Sequence, residues 1–261
     1  MRKCISLTLL FLCLAPGYLF AETPEEKGLA IAREDDRRDN GFADFTASMV
    51  MVLKNRHGEA SQRILRNSTL EVTGDGDKSL VIFDEPRDVK GTALLNFAHK
   101  TGNDDQWLYL PALKRVKRIS SANKSGSFMG SEFAYEDVTS QEVEKYTYKW
   151  LRDEIHEGLD CFVFERYPAY QNSGYTRQVV WLDKAEYRLL KIDFYDRKNS
   201  LLKTLTHRGY KKYLDKFWYP DAMFMENHQT GKNTLLTWSD YSFQTGLKDD
   251  DFNKNSLKRA R

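Results

Sequence analysis

The chain has 261 residues, with 40 Lys+Arg against 38 Asp+Glu and three cysteines. That near-neutral balance excludes the basic excess of a nucleic-acid binder. Cys4 and Cys13 fall in the first 20 residues and leave Cys161 alone, so stability must come from a hydrophobic core rather than a disulfide framework, and a chain this long can bury one.

Met1-Arg2-Lys3 is a short positive segment, Cys4 to Phe20 is mostly apolar, and Ala21 precedes a sharply polar stretch. The pattern is that of a secretory signal peptide over residues 1–21. A lipoprotein signal with Cys13 as the lipidated residue is the alternative, and Leu12 argues against it because that position needs a small side chain. Cleavage after Ala21 removes Arg2 and Lys3 and leaves a neutral chain of 240 residues. No later stretch is apolar enough to span a bilayer, so a soluble, exported, monomeric protein is expected.

Thr23-Pro24-Glu25-Glu26 starts a helix, with Thr23 as cap, Pro24 in the first turn and Glu26 completing a capping box. It should run over 24–39 and stop at Asn40-Gly41, with Leu29 and Ala32 as a narrow apolar stripe laid across a sheet. From Phe45 the period changes to two: Phe45, Ala47, Met49, Met51 and Leu53 alternate with more polar neighbours. Further strands are predicted near Leu80–Phe83, Thr92–Phe97 and Gln106–Leu110, the last apolar on both faces, followed by a basic strand, Lys114–Ile119.

A Ser/Gly-rich loop, Ser120 to Gly130, then carries Phe128 and Met129 at its tip. Two readings stand. Phe128 anchors the loop to the core, or the apolar tip dips into a cavity or touches an apolar partner. Phe133–Ser140 is read as a short helix. Strands resume over Tyr146–Asp153, Asp160–Tyr167, Thr176–Leu182, Leu189–Tyr195, Leu201–Tyr210, Ala222–Asn227 and Thr234–Tyr241, and the basic tail from Lys254 is expected to fray. No repeat and no linker divides the chain, so residues 22–261 form one domain. Ten or eleven antiparallel strands cannot lie flat. They should curl into an incomplete barrel over one or two helices, around an apolar cavity.

Chemistry of the catalytic kind is poorly represented. The five histidines lack ligand spacing; His99 with Asp104 and Asp105 sits around a turn, where Asp serves the backbone. No nucleophile–base pair is brought together by the sequence, Cys161 sits in a strand pattern, and neither an enzyme, a metal nor a cofactor is expected. Binding fares better. Met49, Met51, Leu53, Phe83, Trp107, Tyr109, Ile192, Phe194, Met223 and Met225 are the candidates for lining an adaptable apolar cavity, against the alternative of ordinary sheet core. Lys114, Arg115, Lys117 and Arg118 form the one dense basic patch, either a guarded strand edge or a contact for anionic headgroups or an acidic partner.

The ordered set Phe83-Asp84-Glu85-Pro86, Lys90-Gly91-Thr92-Ala93-Leu94-Leu95, Asp105-Gln106-Trp107-Leu108-Tyr109-Leu110-Pro111, Arg115-Val116-Lys117-Arg118-Ile119, Phe128-Met129-Gly130-Ser131-Glu132-Phe133 and Tyr135-Glu136-Asp137 resembles the outer-membrane lipoprotein-sorting proteins. These are distant relatives of the LolA/LolB carriers. The resemblance covers most of the chain from about Phe45. The apolar loop tip, Phe128, Met129 and Gly130, is the candidate gate of such a cavity, while the resemblance implies a curved antiparallel sheet over helices and a periplasmic carrier for a lipid or lipoprotein acyl chain. It also implies work beside an inner-membrane transporter of the resistance-nodulation-division (RND) type. The alternative is a non-catalytic envelope accessory or scaffold that docks on a membrane transporter; a periplasmic hydrolase is a third reading with little support.

Overall fold

The computed structural model describes residues 21–259, so the expected signal segment, with Cys13, lies outside them except for Ala21. Helix α1 (Pro24–Asp39) begins as its capping box requires: the Glu26 amide donates to Thr23 Oγ1 at 3.2 Å and the Thr23 amide to Glu26 Oε2 at 2.9 Å. Glu25 and Glu26 in its first turn and Arg37 and Arg38 in its last complement the helix dipole.

Two antiparallel meanders follow. The first is β1 (Asp44–Lys54), β2 (Ala60–Leu70), β3 (Lys78–Glu85), β4 (Ala93–Phe97), β5 (Asp105–Leu110) and β6 (Arg115–Ile119). The second is β7 (Tyr146–His156), β8 (Leu159–Pro168), β9 (Tyr175–Asp183), β10 (Leu189–Asp196) and β11 (Leu201–Arg208). A small hairpin, β12 (Lys211–Tyr213) and β13 (Phe217–Tyr219), precedes β14 (Ala222–Asn227) and β15 (Asn233–Phe243). The β14–β15 pair joins the meanders: β15 pairs with β1 and β14 with β11. The result is one sheet of 13 strands with β6 at one margin and β7 at the other. The margins do not pair, so the sheet curls without closing, as the sequence pattern predicts, though with more strands than the ten or eleven expected.

Alternation sorts the side chains onto two faces. Met49, Met51, Leu65, Phe83, Leu94, Leu108, Ile192 and Leu205 share one buried cluster with Ile31 and Ala32 of α1. Leu80, Ala93, Leu95 and Trp107 point the other way and are covered by Phe252 and Leu257, the latter in α2 (Lys254–Arg259). The tail is therefore docked rather than frayed. It is steered there by the buried Asp44 carboxylate, which accepts from the Thr245 amide at 2.7 Å and the Gly246 amide at 3.2 Å. The helix expected over Phe133–Ser140 shrinks to one 3₁₀ turn, Tyr135–Asp137.

Helix α1 lies against the backbone of β7. A Cβ added at Gly28 would sit 2.8 Å from the Trp150 nitrogen and 2.9 Å from the Lys149 nitrogen. Gly28→Ala is therefore expected to lower the melting temperature: overpacking costs about 1–3 kcal/mol, against a helix-propensity gain of ~1 kcal/mol. A thermal melt at neutral pH checks the sign.

Because β6 and β7 are opposite margins, the chain between them must cross the whole sheet. Residues 120–145 make that crossing as a strap over the inner face. It is tied to strands in both halves of the sheet. Arg63 of β2 donates to the Met129 carbonyl at 2.5 Å, Asn96 of β4 to the Val138 carbonyl at 3.1 Å, and Gln106 of β5 to the Tyr135 carbonyl at 2.9 Å. On the far side, Lys203 of β11 donates to Asp137 Oδ2 at 2.7 Å and to the Glu132 carbonyl at 2.8 Å. Tyr175 of β9 donates to Asp137 Oδ1 at 2.8 Å, and Asn227 of β14 to Glu132 Oε2 at 2.6 Å.

Candidate functional site: a two-chambered hollow

Between α1, the strap, the β12–β13 hairpin and the inner face of the sheet lies a hollow of two adjoining chambers. The smaller, about 260 Å³, is mainly apolar, walled by Phe45, Met49, Met51, Val81, Phe128, Phe133 and Leu236. The larger, about 490 Å³, runs along α1 past Tyr148, Phe164, Ile192, Phe194 and Leu205. Phe42, Phe45, Asp39, Tyr219, Met223 and Trp238 line both. The larger chamber alone falls within the roughly 300–1,000 Å³ of small-molecule sites.

The register explains the lining. His207 faces Met223, Met223 faces Leu236, Leu236 faces Met51, and Trp238 faces Met49. Partners across an antiparallel ladder point to the same face, so a row of flexible thioethers and one indole floors the junction of the chambers.

The proposed liners divide into groups. Met49, Met51, Ile192, Phe194 and Met223 do line the hollow. Phe83 and Met225 lie on the same face but are fully packed, and Leu53 packs against that core without reaching the hollow. Trp107 and Tyr109 belong to the opposite face, under the C-terminal tail. Strand β5 is apolar on both sides and carries no phase by which the sequence could have chosen. Phe128 is 2 % exposed, its ring 5.8 Å from those of both Phe83 and Tyr135. It is both anchor and wall. The turn that aims it holds Met129 at φ 50° and Gly130 at φ 80°.

Lys114, Arg115, Lys117 and Arg118 stand at the β6 margin, all exposed, with Arg118 paired to Asp105 and Leu113 62 % exposed beside them. A basic margin strand resists unwanted strand pairing. His99 Nδ1 meets Asp75 Oδ2 at 2.7 Å, while the Asp104 carboxylate accepts from the His99 amide at 3.1 Å and pairs with the buried Lys145, which commits these groups to holding turns.

Sequence reasoning missed the polar furniture of the hollow. Asp35 and Asp39 of α1 and Asp77 just before β3 line it. Burial raises Asp35 to about 7, with the Asp39 charge adding to the rise. Burial raises Asp77 to about 7, opposed by the Val72 amide; Asp39 is exposed at the rim of the hollow, and the protein around that rim pushes its carboxyl upward, opposed by the Tyr219 hydroxyl. His207, 8 % exposed, is pushed down to about 4 by burial and then by the Arg166 charge, so its imidazole is neutral at physiological pH.

A carboxyl whose pKa is raised on folding penalises the fold once pH exceeds its unfolded value, and the penalty grows until the folded value is passed. For Asp35 that window runs from 3.8 to about 7. Asp35→Asn is therefore expected to raise the melting temperature at pH 8, with the gain vanishing as pH falls towards 4. Parallel melts of both proteins at pH 4, 6 and 8 measure it.

An unclosed antiparallel half-barrel with a partly apolar hollow is the LolA-like fold. The chain belongs to the family of outer-membrane lipoprotein-sorting protein domains. It is 63 % identical to such a domain from Vibrio parahaemolyticus, over 90 % of this chain and 100 % of that one, with a TM-score of 0.89. A DUF1329 family protein from Desulfovibrio piger is 32 % identical over 90 % and 99 % of the two chains, TM-score 0.85. A LolA superfamily protein from Nitrosomonas europaea shares the fold at 21 % identity over 88 % and 98 %, TM-score 0.71. A family model described as an uncharacterized protein matches residues 75–259. No curated protein matches the chain.

Proposed function

We propose that this protein is a non-catalytic periplasmic carrier that shelters a lipid or lipoprotein acyl chain between the inner and outer membranes. The observation that carries the reading is the hollow: a greasy chamber, floored by Met49, Met51 and Met223, that opens into a larger one. Each methylene held out of water is worth about 0.8 kcal/mol, so an enclosed chain needs no cofactor to stay bound. The tip Phe128–Gly130 is then the wall that must yield for a chain longer than the apolar chamber. The basic margin, with Leu113 beside it, supplies the contact with anionic headgroups. Family resemblance adds an RND-type inner-membrane transporter as the partner that loads or unloads it.

The test is transfer of a fluorescent acyl lipid from anionic donor vesicles to the mature protein. Met223 sits where the chambers meet, so Met223→Trp should block loading with the fold intact by circular dichroism. Lys114→Glu with Lys117→Glu should slow transfer without lowering the final occupancy. Failure of the wild-type protein to take up any acyl lipid, together with capture of a membrane transporter, would favour the docking-accessory reading.

A further inference from the structure

We propose that the larger chamber receives a zwitterionic headgroup, the phosphoethanolamine end of an acyl lipid, with its phosphate on Arg166 and its ammonium on Asp35. This rests on the carrier reading and names the end-group that the same hollow accepts.

Arg166 lies in the middle of the β7–β8–β9 ladder, facing Tyr148 on one side and the buried Gln178 on the other. Its Nε donates to Gln178 at 2.6 Å and its guanidinium lies over the Tyr146 ring, 4.9 Å from the centroid. Those contacts fix the plane of the group and leave its two terminal nitrogens with no partner among the described residues. The other arginines of the lining are committed: Arg38 to Glu34 and the Ala185 carbonyl, and Arg188 to Asp183. Lys216 donates to the Asn40 carbonyl, and Lys100 stands by Glu142.

Asp35 is the matching case among the acids. Every other lining carboxylate, from Asp36, which accepts from Asn40, to Glu186, which accepts from the Trp218 indole, has a hydrogen-bond partner. The Asp35 side chain has none among the described residues. It faces Arg166 across the chamber closely enough for the guanidinium charge to oppose the rise that burial and Asp39 impose on its carboxyl, yet the two form no ion pair. Neither group is sealed off. Buried unpartnered side-chain atoms among the described residues are confined to Thr206, His207 and Trp238, so the Arg166 terminal nitrogens and the Asp35 oxygens keep accessible surface.

One chamber thus holds a free guanidinium end and a free carboxylate, near one another but not joined. A lone phosphate on Arg166 would face the Asp35 charge, and a lone ammonium on Asp35 would face the Arg166 charge. A headgroup that carries both signs satisfies both walls and brings no net charge into the hollow. The two terminal nitrogens form the fork that takes a phosphate in bidentate fashion. A carboxylate needs N–H donors, which a primary ammonium has and a quaternary one lacks; quaternary ammonium is held by aromatic cages instead. The acyl chain then runs past Met223 into the apolar chamber.

Three palmitoyl lysophospholipids of equal chain length separate the possibilities: the ethanolamine, the choline and the bare phosphate (lysophosphatidic acid) forms. Each displaces an uncharged fluorescent fatty alcohol from the mature protein. The ethanolamine form is expected to bind about tenfold more tightly than either of the others, the scale of one hydrogen bond to a charged group. Asp35→Asn should erase that preference, and Arg166→Gln should weaken all three about tenfold. Direct binding of the fatty alcohol should be unchanged in both variants and so reports an intact hollow. Equal affinity for the three lipids, tighter binding of the choline or bare phosphate form, or a preference that survives Asp35→Asn would overturn the headgroup inference and leave the carrier standing. Absence of binding by every lipid and by the fatty alcohol would overturn the carrier and this inference with it.

Discussion

Lys203→Met is expected to destabilise the protein by about 3–5 kcal/mol, the usual cost of stranding one partner of a buried ion pair. Lys203 and Asp137 side chains are 4 % and 5 % exposed. Asp137 also accepts from Tyr175 and from the Ala134 amide at 2.7 Å, so the stranded carboxylate would keep hydrogen bonds but lose its counter-charge. The effect should reach beyond stability. Lys203 ties the strap at Glu132 and Asp137 to the far half of the sheet, so losing it should expose residues 127–139 to amide exchange before the sheet opens. Pairing Lys203→Met with Asp137→Asn should recover part of the lost stability, because no bare charge then remains. A double-mutant cycle read by urea unfolding checks both statements; a single variant that melts like the parent would show that the strap does not depend on this pair.

Phe128→Ala is expected to cost about 3–5 kcal/mol, as for a large aromatic removed from a filled core. It should also enlarge the apolar chamber, since Phe128 is one of its walls. The two effects separate anchor from plug. An anchor alone predicts lost stability with acyl affinity falling in step. A plug predicts lost stability with equal or tighter binding of a longer or branched chain. Phe128→Asp is a poor substitute, because it would bury an unpaired carboxylate and confound loading with unfolding.

Most of the architecture was legible because local signals and tertiary demands agree here. Thr23, Pro24 and Glu26 fix the start of α1, and the alternation from Phe45 to Leu53 survives as β1, in unbroken register with β2 and with one irregularity, between Thr46 and Ser48, against β15. The misses have physical causes. β12 and β13 are three residues each, too short to show a period, yet Phe217 and Tyr219 close the hollow against Phe42 and Phe45. The tail looked free because its anchors, Phe252 and Leu257, lie in a charged run whose receiving surface is built by β4 and β5, more than 140 residues away. Trp107 and Tyr109 were misplaced because a strand covered on both faces gives no phase. The polar wall was invisible for a different reason. Asp35 and Asp39 look like members of a solvated charge run, and only the crossing of α1 over the sheet brings Asp35 to the hollow and Asp39 to its rim.

The most direct test of the account is native mass spectrometry of the mature protein purified from its own cell envelope without detergent. The account predicts one retained lipid per protein, released on collisional activation and lost in Met223→Trp. A protein that is repeatedly lipid-free and takes up no acyl lipid when offered one would contradict it.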